Sequence, residues 1–327
     1  MMARQQQNGV IIYSADEDIH LEYRPAGPLY HTILWSISVW SMLTNVVRAL
    51  LNKLNGRRNL PLNRILWRMG RSHTHFSSWA VDRFSRHNHK AKWGAAGWQS
   101  LDMFYNYHEK IKPSLTGHSL EKILTEFWFG KMENRQAVSN RMKIVTKMIT
   151  DAMDRFEGED EVRVLSVASG SAQAVIQAMK NSRTQKIKAT LLDVNTEALR
   201  QAEDASEAAG LRDRFTFIQN STSALKDLGC SFHIIEMVGF LDYRPREKAV
   251  NLINKLRNLL ITGGVLITCN IAPNIEKIFL DWVLLWPMIY RSADELRKIL
   301  TEGGFSDNCI TILPEPHRIH NIALANK

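Results

Sequence analysis

The sequence predicts an α/β protein: a doubly wound seven-stranded sheet, mostly parallel with an antiparallel edge strand, carrying a helical N-terminal extension. Three observations point there. Beyond Val162, short and almost wholly apolar runs alternate with helical segments, the pattern of parallel strands covered on both faces. The last two runs have no helix between them, so they should close the sheet as a hairpin. A run of small residues, Ala168-Ser-Gly-Ser-Ala172, follows the first strand, where an open α/β sheet receives its ligand.

Taken in order, the strands are expected at 162–168, 186–194, 215–219, 231–238, 265–271, 309–313 and 320–325. Helices are expected at 172–180, 196–209 and 246–260, the last stopped by Thr262-Gly263-Gly264. A further helical section runs through Leu300 to Gly303-Gly304. Upstream, 98–112 and 134–155 are patterned as helices, with a break at Pro113-Ser-Leu-Thr-Gly117.

The 327-residue chain is 45% apolar and 23% charged, as globular proteins are. Cys230, Cys269 and Cys309 lie far apart, which suits neither a disulfide scaffold nor a CxxC zinc site. A reducing, cytoplasmic compartment and no structural metal are expected. The net charge of +9 is local: between Arg48 and Lys92 eleven Lys/Arg stand against one acid, Asp82. His73, His75, His87, His89, Trp67, Trp79 and Trp93 are interleaved with them. Just before this segment Ile33, Ile37, Trp40, Leu43, Val47, Leu50 and Leu54 recur at three and four residues, the spacing of an amphipathic helix. Its serines and threonines make it too polar for a membrane span.

The expected organisation is a flexible arm over 1–28, a helical, basic cap and interaction region over 29–130, and the α/β domain over 131–327. Three readings of the basic segment are open. A solvated face would need matching acids. A nucleic-acid footprint has the charge and the stacking side chains. A membrane-surface element, peripheral at the inner membrane, suits anionic headgroups, and the apolar helix next door favours it.

The small residues after strand one let a ligand approach the backbone. Asp193 ends strand two, 23 residues after Gly170, where a carboxylate can accept hydrogen bonds from a ribose diol. A dinucleotide would want several glycines for its pyrophosphate, and this turn has one.

Ser166-Val-Ala-Ser-Gly-Ser-Ala172 resembles the acid-x-Gly-x-Gly-x-Gly turn of the class I S-adenosylmethionine (SAM) methyltransferases, a Rossmann-like family. The glycine positions fall on Ala168, Gly170 and Ala172, and the acid position on Ser166, so the carboxylate usual there is missing. Leu191-Leu-Asp-Val-Asn195 is similar to the second motif, which would put Asp193 on the ribose and Val194 against the adenine. Phe217-Ile-Gln-Asn-Ser-Thr222, Phe232-His-Ile-Ile-Glu-Met-Val-Gly239 and Leu259-Leu-Ile-Thr-Gly-Gly-Val-Leu266 resemble the family's later motifs. Upstream, Phe127-Trp-Phe129 and Glu133-Asn-Arg-Gln-Ala-Val-Ser-Asn-Arg141 look like the helix before the core in a little-studied group of bacterial methyltransferases, some joined to lipase-like hydrolases.

The resemblance implies SAM as cofactor. The residues to hold it are Ala168, Ser169, Gly170, Ser171, Asp193, Val194, Asn195, Asn220, Ser221, Thr222 and Met237, with Arg141 reaching the methionine carboxylate. Glu236 and Tyr243 are the candidate catalytic residues. The expected acceptor is a small hydrophobic or lipid-like molecule near a membrane surface; action on nucleic acid through 48–92 is the alternative. His108, His233, His317 and His320 read as ordinary polar or core histidines, and Trp282 and Trp286 as packing or a pocket wall.

Overall fold

The computed structural model describes residues 3–7, 10–14, 19–54, 77–95, 97–117 and 119–327. Much of the basic segment, with Trp67, His73 and His75, lies outside them. The chain divides into a sheet unit, Met1–Glu22, Asn140–Pro273 and Ile289–Lys327, and a helical unit, Tyr23–Ser139 and Asn274–Met288.

In the sheet unit β1 (Ala3–Gln7) and β2 (Val10–Ser14) pair as an antiparallel hairpin within the stretch expected as an arm. Seven strands form the main sheet: β3 (Val162–Val167), β4 (Ile187–Asp193), β5 (Phe215–Gln219), β6 (Phe232–Met237), β7 (Leu260–Ile271), β8 (Ile310–Pro314) and β9 (His320–Asn326). Their order is β5-β4-β3-β6-β7-β9-β8. The first five run parallel, and β9 runs against both β7 and β8. The terminal hairpin therefore enters with its second strand inside and β8 at the edge. The order reverses between β3 and β6, and a ligand cleft forms at such a point, beyond the carboxyl ends of the strands.

Each face is covered as the apolar runs require. Ile144, Val145, Ile149, Ile176 and Leu199 pack on Val164, Leu191 and Ile234 on one side. Leu252, Ile253, Leu256, Leu296 and Ile299 pack on Leu165, Val167, Ile235 and Met237 on the other. Thr262-Gly263-Gly264 belongs to β7 rather than ending a helix. Gly263 takes φ +78, its N–H donates to the Lys327 carbonyl, and the register with β6 shifts there.

The helical unit holds the helix Pro28–Leu54. Its buried residues are Tyr30, Leu34, Ser38, Ser41 and Asn45, and it packs on the helix Lys277–Trp282. Trp128 stacks on Phe279 and Phe104 on Trp286. Beyond Trp282 the expected helix stops, because Leu285 takes φ +56 and Pro287 follows. Glu276 is fully buried and accepts the N–H groups of Glu133 (2.9 Å) and Asn134 (2.7 Å), capping the helix Glu133–Arg155. That helix spends its polar residues singly: Gln136 holds the backbone of Arg24, and Arg135 donates to the carbonyls of Phe129 and Gly130. In the sheet unit its Asn140 holds both backbone groups of Glu22.

Candidate active site

The turn after β3 contains three left-handed residues, Ala168 (φ +54), Gly170 (φ +52) and Ala172 (φ +50). These are the three positions laid on the family's glycines. An L-residue in this conformation costs about 1–2 kcal/mol, so two alanines here are strained, and such strain collects at functional sites. Ala172 then opens the helix Gln173–Asn181.

Asp193 holds the turn from β4. Its Oδ2 accepts the Gly170 N–H at 2.8 Å and its Oδ1 the Asn195 N–H at 2.8 Å. A carboxylate accepts about four hydrogen bonds, which leaves capacity on each oxygen for a diol. Val194 beside it is 65% exposed, an unusual place for a large apolar side chain at a strand end. Ser169 Oγ is buried and meets no hydrogen-bond partner among the described residues. A lone buried hydroxyl, a half-satisfied carboxylate and a bare apolar face fit a ligand carrying a ribose and a flat base.

Ser166 and Glu236 lie directly opposite each other in the β3–β6 register. Ser166 Oγ donates to Glu236 Oε2 at 2.5 Å, and the Val238 N–H donates to Glu236 Oε1 at 3.0 Å. The carboxylate missing from the end of β3 is thus supplied by the neighbouring strand, at nearly the same place. Burial pushes Glu236 up to about 7, against the pull of the Ser166 hydroxyl, the Val238 N–H and the Arg141 guanidinium.

Arg141 is buried, with Gly239 against its guanidinium and its Nη1 3.8 Å from Cys269 Sγ. Its charge also acts on Asp242, which burial raises, and on His320, which burial holds neutral well below the ordinary imidazole range. Neither ring nitrogen of His320 has a hydrogen-bond partner among the described residues. Burial pushes the Cys269 thiol to about 12, so it is no nucleophile at neutral pH. The result is one guanidinium whose charge acts on two buried carboxyl groups, Glu236 at the end of β6 and Asp242 in the turn after it, a setting for a ligand with both an ammonium and a carboxylate.

The other predicted residues divide. Tyr243 stands partly exposed in the turn after β6. Ser171 is buried beside the turn and accepts from Gln173. Asn195 uses its side chain to cap the helix Thr196–Ala208. Asn220 accepts the Ser221 N–H, Ser221 accepts the Ser223 N–H, and Thr222 begins the short turn Thr222–Asp227 after β5. Met237 faces away from Glu236 along the strand and is fully buried in the core, so the structure does not bring its side chain to the site. His233 accepts the Arg163 N–H, as a structural residue would. Asp242 joins the cluster from the turn just after β6, and Cys269 and His320 join it from β7 and β9, distant in sequence.

Residues 164–264 match the family profile of the methyltransferase domain, and this span holds the turn, Asp193 and Glu236. By that match this segment, about a third of the chain, is similar to methyltransferase domains. A crystal structure from Bordetella parapertussis, described as a possible exported protein, is similar at TM-score 0.63 and 13% identity, over 92% of this chain and 99% of that one. That likeness shows the fold. Magnesium protoporphyrin IX methyltransferase from Synechocystis PCC 6803 is more distant, with TM-score 0.46 and 18% identity over 60% of this chain and 88% of that one. An O-methyltransferase family protein from Burkholderia thailandensis gives TM-score 0.44 and 12% identity, over 62% of each chain. No curated protein matches the chain.

Proposed function

We propose that the methyltransferase domain passes the methyl group of SAM to a small hydrophobic or lipid-like acceptor close to a membrane surface. The observation that carries the reading is the left-handed trio Ala168, Gly170 and Ala172, tied through Gly170 to the Asp193 carboxylate.

SAM supplies an electrophilic methyl on a sulfonium: the bond from acceptor to carbon forms as the carbon–sulfur bond breaks, and the sulfur departs as a neutral thioether. The protein's own work is placement, which can be worth about 7–11 kcal/mol. Asp193 takes the ribose hydroxyls and Val194 covers the adenine. Arg141 pairs with the methionine carboxylate, and Glu236, which ionises near neutrality, receives the ammonium. A base is needed only where the acceptor is a weak acid; Tyr243, exposed in the turn after β6, is the candidate. Ile289, exposed and joined through its N–H to the Asp242 carbonyl, adds apolar surface there and supports a hydrophobic acceptor.

Calorimetry with SAM is the first test, and a wild type that binds none overturns the reading. The acceptor class follows from incubating the protein and SAM with a lipid extract and, separately, with nucleic acid. A mass gain of one methylene in a lipid supports the reading; a gain confined to nucleic acid overturns the acceptor assignment.

A further inference from the structure

From Ser38 to Asn45 the helix Pro28–Leu54 is turned with small polar side chains inward. Its buried stripe runs Tyr30, Leu34, Ser38, Ser41, Asn45. On the opposite side Trp35 is 55% exposed, Trp40 52%, Leu43 49%, Val47 53% and Leu50 54%. At about 100° per residue these five fall within less than half of the helix circumference, so they form one apolar ridge. Small polar side chains inward and large apolar ones outward reverse the usual order of a water-exposed helix.

We propose that this ridge is a docking surface for an anionic lipid bilayer, on which the helix lies in the plane of the interface. Charge selects the occupant. The helix contains no acidic residue, and from Arg48 to Arg71 the sequence holds seven Lys/Arg and no Asp or Glu. An apolar ridge with Trp35 and Trp40, adjoining a basic segment, is complementary to acyl chains beneath anionic headgroups. A second copy of the chain would bring two such basic segments together, which like charges oppose. Nucleic acid would leave the ridge wet. Among the described residues no helix is long and apolar enough to cross a membrane. The proposal extends the membrane-proximal part of the function above and stands without its methyl-transfer part.

The test is flotation of the full-length protein with vesicles of phosphatidylcholine alone and of phosphatidylcholine mixed with phosphatidylglycerol. The wild type should float with the mixed vesicles, less at high salt, and poorly with the neutral ones. Trp40→Glu combined with Val47→Glu should lower the floated fraction about tenfold or more. The milder Trp40→Ser should lower it less. An unchanged urea midpoint and unchanged SAM affinity in both variants assign the loss to the surface and not to misfolding. A wild type that stays with the pellet, or variants that float equally well, overturns the proposal. So does a wild-type dimer in sedimentation that the double variant converts to monomer while neither binds vesicles.

Discussion

Among the described residues of the sheet unit the large apolar side chains left exposed are Val194, Tyr243 and Ile289, beside the carboxyl ends of β4 and β6, whereas the helical unit leaves a whole helix face of them bare from Trp35 to Leu50. The two units also bury carboxylates differently. Glu276 in the helical unit is raised by burial, against the pull of two helix N–H groups and the Asn134 amide that it accepts. Glu236 in the sheet unit meets one hydroxyl and one N–H and is pushed to about 7. Exposed apolar surface at strand ends, next to under-satisfied buried charge, is how a small-molecule site looks. Exposed apolar surface along a helix, with its buried carboxyl group fully hydrogen-bonded, is how a docking face on a stable scaffold looks.

Substitutions can break that contrast, and the largest effect should come from Glu276. Glu276→Ala removes the cap and leaves the Glu133 and Asn134 N–H groups without it, so urea unfolding should show a loss of about 3 kcal/mol. A loss below 1 kcal/mol would mean the cap is not structural. Asp193→Ala should weaken SAM about a hundredfold in calorimetry, and unchanged affinity would remove this carboxylate from the site.

Glu236 sharpens the comparison through pH. Its native pKa of about 7 lies above the ordinary 4.5, so between these values the folded state binds more protons than the unfolded one. Stability from this group is therefore full below about pH 4.5 and falls as pH rises toward 7, by about 3 kcal/mol at most. Glu236→Gln should flatten that slope when unfolding is measured at steps from pH 4.5 to 8; a slope equal to the wild type's refutes the shift. The smallest effect is expected at Ala168. Ala168→Gly relieves a left-handed alanine at some entropic cost, for a net gain of about 0.5 kcal/mol in the urea midpoint analysis.

Much of the sheet was legible in the chain. All the expected strand positions carry strands, because buried parallel strands must be continuous apolar runs and the helices between them keep their own period. The start of β7 was not, since Gly263-Gly264 reads as a stop unless one knows that Lys327 pairs with its backbone. Trp98–Tyr105 ends earlier than its pattern suggests, at Asn106, whose side chain turns back to Asp102.

The pairing of the turn with Asp193 was also readable: small residues, then an acid at the end of the next strand, lie close together in sequence. What the sequence determined by itself was therefore the alternation that makes the sheet, the run of small residues at the first turn, and the existence of an apolar helix face. What only the tertiary structure decided was where distant groups meet and which way faces point. Ser166 looks like a lost acid until β6 sets Glu236 beside it, 70 residues away. Periodicity shows that the helix Pro28–Leu54 has an apolar side, but packing of its Ser38–Ser41–Asn45 stripe is what turns that side outward. Local patterns fix local geometry; partners brought together by strand order and helix packing are fixed by neither residue alone.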